Sequence, residues 1–272
     1  MLLIDLDPLI YACGFAAQIS HHTLIVEDGE GNKSVEHTTE LAAWKKQHPE
    51  LAILDKETRI EPAPESTAEL ILTTTLRDLV ARRPYRAFLS GRGNFRDELA
   101  TIRPYKGNRD KTARPVHYDL LRRLVLDWPG VEYTIGMEAD DAISINAHSG
   151  AWGDDYTIVS IDKDLDQIPG KHWNYAKDVH YEIDAQAAQD CFVRQWIMGD
   201  STDNVQGVPG MGPKKAAAVL KDMAGIDRQE IHNFVCLMYG DRDACYETAR
   251  LVWLLRKPTE IWEAEKWIAG MQ

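Results

Sequence analysis

Tyr156-Thr-Ile-Val-Ser-Ile-Asp-Lys-Asp-Leu-Asp166 sets a short apolar strand directly before three carboxylates at alternate positions. A short apolar run bounded by polar residues reads as a strand buried in a sheet. In a parallel sheet, binding sites gather beyond the carboxyl ends of the strands, where these acids stand. The amino terminus repeats the arrangement. Leu2 to Leu6 is an apolar strand carrying Asp5, and Pro8 to Ile19 continues with helical apolar spacing and proline in the tolerated first turn. Further along, Ser66 and Thr67 offer a cap for a helix to about Arg82, and Tyr85 to Leu89 predicts the next strand. A helix near Tyr118 to Leu126, a strand near Val131 to Thr134 and a helix from Ala139 to Ala147 follow. Strands alternating with helices predict an α/β fold on a parallel sheet. Beyond Asp178 the spacing turns helical, with helices expected at Ala185 to Met198, Gln229 to Met238 and Asp243 to Leu255.

Ser20 to Pro64 reads as a peripheral insertion. Thr23 to Val26 and Lys33 to His37 flank a turn-forming Asp28-Gly29 and Gly31-Asn32, predicting a hairpin, and a helix is expected from Thr38 to Lys46. With 272 residues, 44% hydrophobic and 27% charged, the chain can bury a substantial core. No apolar run approaches the roughly 20 residues that span a bilayer, and the start lacks the pattern of a secretory leader. A cytoplasmic monomer with no membrane partner is expected. Cys13, Cys191, Cys236 and Cys245 lack CxxC spacing, and are expected as reduced thiols that carry no chemistry.

Eight carboxylates fall in four clusters: Asp5; Glu138, Asp140 and Asp141; Asp162 and Asp164; Asp200 and Asp203. Carboxylate oxygens are hard ligands suited to Mg²⁺ or Mn²⁺, and several in one place repel one another unless cations lie between them. The net charge of −12 argues at first against a polyanionic partner, but its distribution is uneven. Between Arg92 and Arg123, nine basic residues stand against four acidic ones. The last acid cluster runs into Asn204 to Leu220, where Gly210 and Gly212 flank Met211 and precede Lys214, Lys215 and a small-residue helix. That pattern predicts two short helices joined by a tight turn, with backbone amides free to approach a phosphate at a helix start. Acid clusters beside such a segment point to phosphodiester chemistry assisted by two divalent ions.

The blocks YKGNRD at Tyr105 to Asp110, EADDA at Glu138 to Ala142, SIDKDLD at Ser160 to Asp166 and MGDSTDNVQGVPGMGPKKA at Met198 to Ala216 occur in that order. Together they resemble the signature blocks of the 5′ to 3′ exonuclease and flap endonuclease family, in particular its bacteriophage members, over roughly residues 1 to 220. The resemblance implies a PIN-like nuclease core over residues 1–183 with a helical arch at 92–116. A helical subdomain over 184–272 would carry a helix-hairpin-helix motif at 204–220. It implies that Asp5, Glu138, Asp140, Asp141, Asp162 and Asp164 supply metal sites, with Asp200 and Asp203 at the second. Lys106 and Arg109 would serve the scissile phosphate, and Tyr105 would stack on an unpaired base. Arg103, Lys111, Gly210, Gly212, Lys214 and Lys215 would contact DNA, and backbone carbonyls near Val205 and Val208 would hold a potassium ion. The implied partner is DNA with a free or branched 5′ end, in phage replication, repair or recombination, with a separate replication protein as a possible second partner.

One departure stands out. Many relatives carry an acidic ligand after the second strand, where this chain has Ser90 and Gly91. Altered metal affinity is the expected consequence, and a catalytically silent branched-DNA-binding protein is the non-enzyme alternative. A PIN-type ribonuclease is the other. The spacing of Asp162, Asp164 and Asp166 suits the start of a calcium loop, but such a loop needs glycine and glutamate where Gln167 and Trp173 stand. Asp7 and Asp166 read as structural, as do the tryptophans.

Overall fold

The structure, a computed structural model, describes residues 1–109, 114–153 and 155–271. In chain order its elements begin with β1 (Leu2–Asp5), α1 (Asp7–Ala16), β2 (Gln18–Glu27), β3 (Lys33–Thr38), α2 (Leu41–Gln47), β4 (Ala52–Pro62) and α3 (Glu65–Val80). β5 (Tyr85–Arg92), α4 (Phe95–Leu99), α5 (Tyr118–Leu126), β6 (Val131–Ile135), α6 (Ala139–His148) and β7 (Thr157–Val159) follow. After a 3₁₀ turn at Lys163–Gln167 come β8 (Gly170–Asn174), β9 (Val179–Ile183), α7 (Ala185–Met198), β10 (Gly199–Asp200) and β11 (Val205–Gln206). The chain closes with α8 (Pro213–Asp222), α9 (Arg228–Tyr239), α10 (Arg242–Val252) and α11 (Ala264–Ile268).

Two compact units are present: Met1–Pro8 with Val80–Ala113 and Trp128–Gln272, and Leu9–Leu79 with Arg114–Asp127. The expected division at 183/184 falls inside the first unit. That unit carries a six-stranded sheet in the order β6-β5-β1-β7-β8-β9, parallel except for the antiparallel edge strand β9. Every residue of β1 is buried, as a central strand covered on both faces requires. Leu3, Phe88, Ile143, Ile158 and Leu165 pack as one core. The carboxyl-terminal helices build a second core around Phe192, Trp196, Trp253, Trp262 and Trp267, so these tryptophans are packing residues. Buried polar side chains tie the parts of the unit together. Gln167 donates to Gln195 and to the Val252 carbonyl, and Arg96 reaches the carbonyls of Leu251 and Trp253.

In the second unit, the insertion forms a three-stranded antiparallel sheet in the order β3-β2-β4. The predicted hairpin is there, and Asp28 holds its turn by accepting from the amides of Glu30 and Asn32, both at 2.9 Å. The long strand β4 was not expected from sequence. Its alternating charges lie on an exposed strand, so no apolar periodicity marks it. Within the arch stretch 92–116, the described residues include the short helix α4. Two further expectations change. The segment 204–220 holds one helix, α8, preceded by β11 and a turn, instead of two short helices. β8 and β9 occupy a stretch with no sequence signal read as strand.

Candidate active site

Parallel pairing sets the stage. β1 runs beside β5 and β7 with Ile4 opposite Val159, so the carboxyl ends of β1 and β7 open together. Asp5 ends β1, only 1% exposed, and its Oδ2 accepts from Ser160 Oγ at 2.9 Å while Oδ1 accepts from the Asp7 amide at 3.1 Å. Ser160 Oγ in turn accepts from the Asp162 amide at 2.9 Å, and Asp162 caps the 3₁₀ turn by accepting from the Asp164 amide at 2.9 Å. One serine therefore couples Asp5 to the Asp162 loop. From the neighbouring side of the sheet, α6 presents Glu138 at its N-cap and Asp140 in its first turn.

Asp141 belongs elsewhere. Fully buried, it receives both terminal nitrogens of Arg96 at 2.6 and 2.9 Å, and also the amides of Leu255 at 3.1 Å and Glu138 at 3.2 Å. A carboxylate accepting four hydrogen bonds, two of them from a buried guanidinium, is committed to structure. The expectation of a ligand role for Asp141 is corrected accordingly. Arg96, which the sequence offered only as a member of the basic run, is 2% exposed, and its buried role was missed. Burial opposes its charge, yet Asp141 outweighs that and pushes the guanidinium upward.

Tyr105 is also corrected. It is packed in the core, and its hydroxyl lies 2.8 Å from Glu138 Oε2 and 2.7 Å from Asp203 Oδ2, so its ring is not an exposed stacking surface. Having one proton, it donates to one of these carboxylates at a time. Lys106 sits beside it at φ +54°, donates to Glu138 Oε1 and stands 3.6 Å from Asp203 Oδ2. Its amide donates to the Asp203 carbonyl at 2.8 Å. Arg109 donates to Asp203 Oδ1, and Asn108 Nδ2 to the Ser201 carbonyl at 2.8 Å. Tyr105 to Arg109 and Ser201 to Asp203 are thus joined by side chains and backbone.

A cleft of about 370 Å³, part of it open to solvent, is lined by Arg96, Tyr105, Glu138, Asp140, Asp164, Asp200 and Asp203. Its electrostatics divide in two. Glu138 is held down to about 2: burial would raise it, but Lys106 and Arg96 outweigh that. Asp164 goes the other way, to about 7, through burial and the charges of Asp162, Asp200 and Asp203. Burial and neighbouring carboxylates also raise Asp5, Asp140 and Asp162. Crowded carboxylates short of cations are what a divalent ion relieves. Among the described residues, no three histidine, cysteine, aspartate or glutamate side chains already stand around one point at ligand spacing.

The missing acid has a steric cause at one of its two positions. A Cβ on Gly91 would lie 1.6 Å from the Thr134 carbonyl oxygen, so no side chain fits there. At the other, Ser90 Oγ accepts from the Ala139 amide at 2.9 Å and serves the start of α6. Of the remaining expected residues, Arg103 is exposed, and Lys111 lies outside the described residues. Gly212 is the N-cap of α8 with Pro213 in its first turn, Gly210 has φ +73°, and Lys214 and Lys215 are exposed, with Lys215 Nζ donating to the Gly210 carbonyl at 3.0 Å. Val205 and Val208 have buried side chains; Val208 donates to the Ile197 carbonyl at 2.8 Å, and its own carbonyl accepts from Met211 at 3.1 Å.

No family model matches the chain. Among curated proteins, it is 36% identical over 147 residues to DNA polymerase I of Rhizobium leguminosarum, covering 49% of this chain and 14% of that one. It is 29% identical over 189 residues to the 5′-3′ exonuclease of Bacillus subtilis, covering 63% of this chain and 62% of that one. Over part of its length the chain is therefore similar in sequence to 5′-3′ exonucleases and to DNA polymerase I. It spans less than two thirds of the length of either relative. The fold is similar to that of bacteriophage T5 5′-exonuclease. A structure of that enzyme with divalent zinc ions bound superposes over 93% of this chain and 88% of its own, with a TM-score of 0.57 at 17% identity. A T5 flap endonuclease in a pseudo-enzyme–product complex with DNA and metal ions covers 66% of this chain and 79% of its own, with a TM-score of 0.52 at 19% identity. The expected α/β fold on a parallel sheet is therefore borne out.

Proposed function

We propose that this chain is a divalent-metal-dependent hydrolase of DNA phosphodiesters, acting as a 5′ to 3′ exonuclease and 5′ flap endonuclease. The observation that carries the reading is the convergence of Asp5, Asp140, Asp162, Asp164 and Asp200, which repel one another at one end of the sheet, with Lys106 in electrostatic reach of Asp140 and Asp162 and Arg109 paired with Asp203. The donor set is all carboxylate oxygen, which fits Mg²⁺ or Mn²⁺, and its mutual repulsion fits bound cations. Asp5, Asp140, Asp162 and Asp164 would hold one ion, and Asp200 and Asp203 a second, with Glu138 reaching either through water. Two such ions supply Lewis-acid stabilisation of charge on the phosphoryl oxygens and acidify the attacking water.

The chain's own groups do the rest. Lys106 and Arg109 present cationic donors to phosphoryl oxygens on which charge develops, and their grip on Glu138 and Asp203 fixes where they stand. The start of α8 offers amides and exposed Lys214 and Lys215 to a phosphate of the duplex. A potassium ion, which backbone carbonyls near Val205 and Val208 would hold, belongs to the same proposal, as does a place in phage DNA replication, repair or recombination.

The test is a gel assay of flap, nicked and blunt duplexes labelled at the 5′ or the 3′ end, with Mg²⁺, with Mn²⁺ and with chelator. Metal-dependent release from the 5′ side is the expected result. Preference for RNA would instead make the chain a ribonuclease. Tight branched-DNA binding without cleavage in either metal would make it a silent binder.

A further inference from the structure

α9 ends at Gly240, which turns the chain with φ +65°, and Asp241 caps α10 by accepting from the amides of Asp243 and Ala244. This tight connection folds two cysteines against each other. Cys236, in the last turn of α9, has its sulfur 3.1 Å from that of Cys245, in the first turn of α10. A disulfide bond is about 2.05 Å long, so the two sulfurs need to approach by only about 1 Å. Their surroundings differ. Cys245 is wholly buried, and its carbonyl accepts from Trp196 Nε1 at 2.8 Å, whereas Cys236 is half-buried and reachable from solvent. His232, one turn before Cys236, places Nε2 3.6 Å from the Cys236 sulfur.

We propose that Cys236 and Cys245 are a thiol-oxidation site, Cys236 reacting with a peroxide and Cys245 resolving the product into an intramolecular disulfide. In the first step the Cys236 thiolate displaces hydroxide from hydrogen peroxide, becoming a sulfenic acid. In the second, the Cys245 sulfur attacks that sulfur, and water leaves. Two thiols and one peroxide thus yield one disulfide and two waters, the two electrons passing from the sulfurs to the peroxide oxygens. The roles follow from placement: the accessible sulfur meets the oxidant, and the buried one waits behind it. The hydrogen bond from Cys245 also holds the Cys236 thiol below its ordinary range, which favours the nucleophilic form. Cys13 and Cys191 provide internal controls. Cys13 is buried in the other unit, and Cys191 contacts the Lys163 carbonyl and Arg194, with burial pushing its thiol up to about 12. The site is independent of the nuclease reading.

The experiment is hydrogen peroxide treatment of the native full chain, alkylation of remaining thiols, and peptide mapping by mass spectrometry before and after dithiothreitol. The expected result is a loss of about 2 Da from the intact chain, mapped to a Cys236–Cys245 link and reversed by reductant, with Cys13 and Cys191 still alkylated. In Cys245→Ser, a sulfenic-acid probe should label Cys236, and in Cys236→Ser the remaining Cys245 should stay unlabelled. The proposal is overturned by a wild-type chain in which both thiols remain alkylatable, in which Cys236 advances to the sulfinic acid unlinked, or in which the link joins two copies. Because the mapping uses the wild-type chain, a variant that fails to fold does not shelter the idea.

Discussion

Replacing Arg96 with methionine keeps most of the side-chain length and removes every donor. Four hydrogen bonds disappear: two to Asp141 at 2.6 and 2.9 Å, one to the Leu251 carbonyl at 2.8 Å and one to the Trp253 carbonyl at 2.7 Å. Asp141 keeps the amides of Leu255 and Glu138, but it becomes a buried anion with no cation beside it. Removing one partner of a buried ion pair costs about 3–5 kcal/mol. Set against a typical total of about 5–15 kcal/mol, the Arg96→Met chain should be a large fraction less stable. The assay is equilibrium urea unfolding followed by tryptophan fluorescence, since Trp196, Trp253, Trp262 and Trp267 are all buried. The midpoint should fall with the slope unchanged. Asp141→Asn alone should also destabilise, by stranding the guanidinium, while the double variant should lose less than the sum of the two by at least about 1 kcal/mol. A loss below about 1 kcal/mol for Arg96→Met, or simple additivity, would refute the account of Arg96 and Asp141 as a mutually dependent pair.

Asp162→Ala should abolish cleavage of a 5′ flap in saturating Mg²⁺ while leaving flap affinity within a few-fold, as read by gel shift. Lys106→Ala should lower the single-turnover rate by about 10²-fold or more, because it removes a preorganised cation beside the acids. Gly91→Ala should lower the thermal midpoint and the soluble yield, since its Cβ would stand 1.6 Å from the Thr134 carbonyl oxygen and β5 would have to part from β6. In chelator, stability should fall as pH rises from about 4 to about 7. Over that window the folded chain keeps protons on Asp164, raised to about 7, and on the likewise raised Asp5 and Asp140, which the unfolded chain has released. Saturating Mg²⁺ should flatten the slope, and a midpoint that instead climbs with pH in chelator would contradict the crowding argument.

Sequence was most informative where burial leaves a one-dimensional trace. Leu2 to Asp5 is apolar because a central parallel strand is covered on both faces, and its terminal acid marks the open end of the sheet. Asp5, Asp162 and Asp164 were legible for that reason. Asp141 was not, because its role is decided by Arg96, 45 residues upstream, and no spacing rule encodes that meeting. Tyr105 illustrates a different limit. An aromatic residue in a basic loop suits a stacking role or a buried hydrogen-bonded one equally well, and only the positions of Glu138 and Asp203 decide. β9 escaped notice because an antiparallel edge strand with polar residues outside carries little periodicity. The cysteine pair escaped because a turn at Gly240 folds nine-residue spacing into sulfur contact.

The strand order has a consequence for synthesis. β1 is synthesised well before its partners β5 and β7, and β7 ends at Val159. At about 5–20 residues per second, roughly 8–30 s pass before both sides of that apolar strand are covered. The insertion sheet has no such wait, since β2, β3 and β4 are complete by Pro62. The nascent chain therefore carries a finished small sheet while the apolar strand β1 is still exposed, and that interval is when a chaperone that binds extended apolar segments would find it.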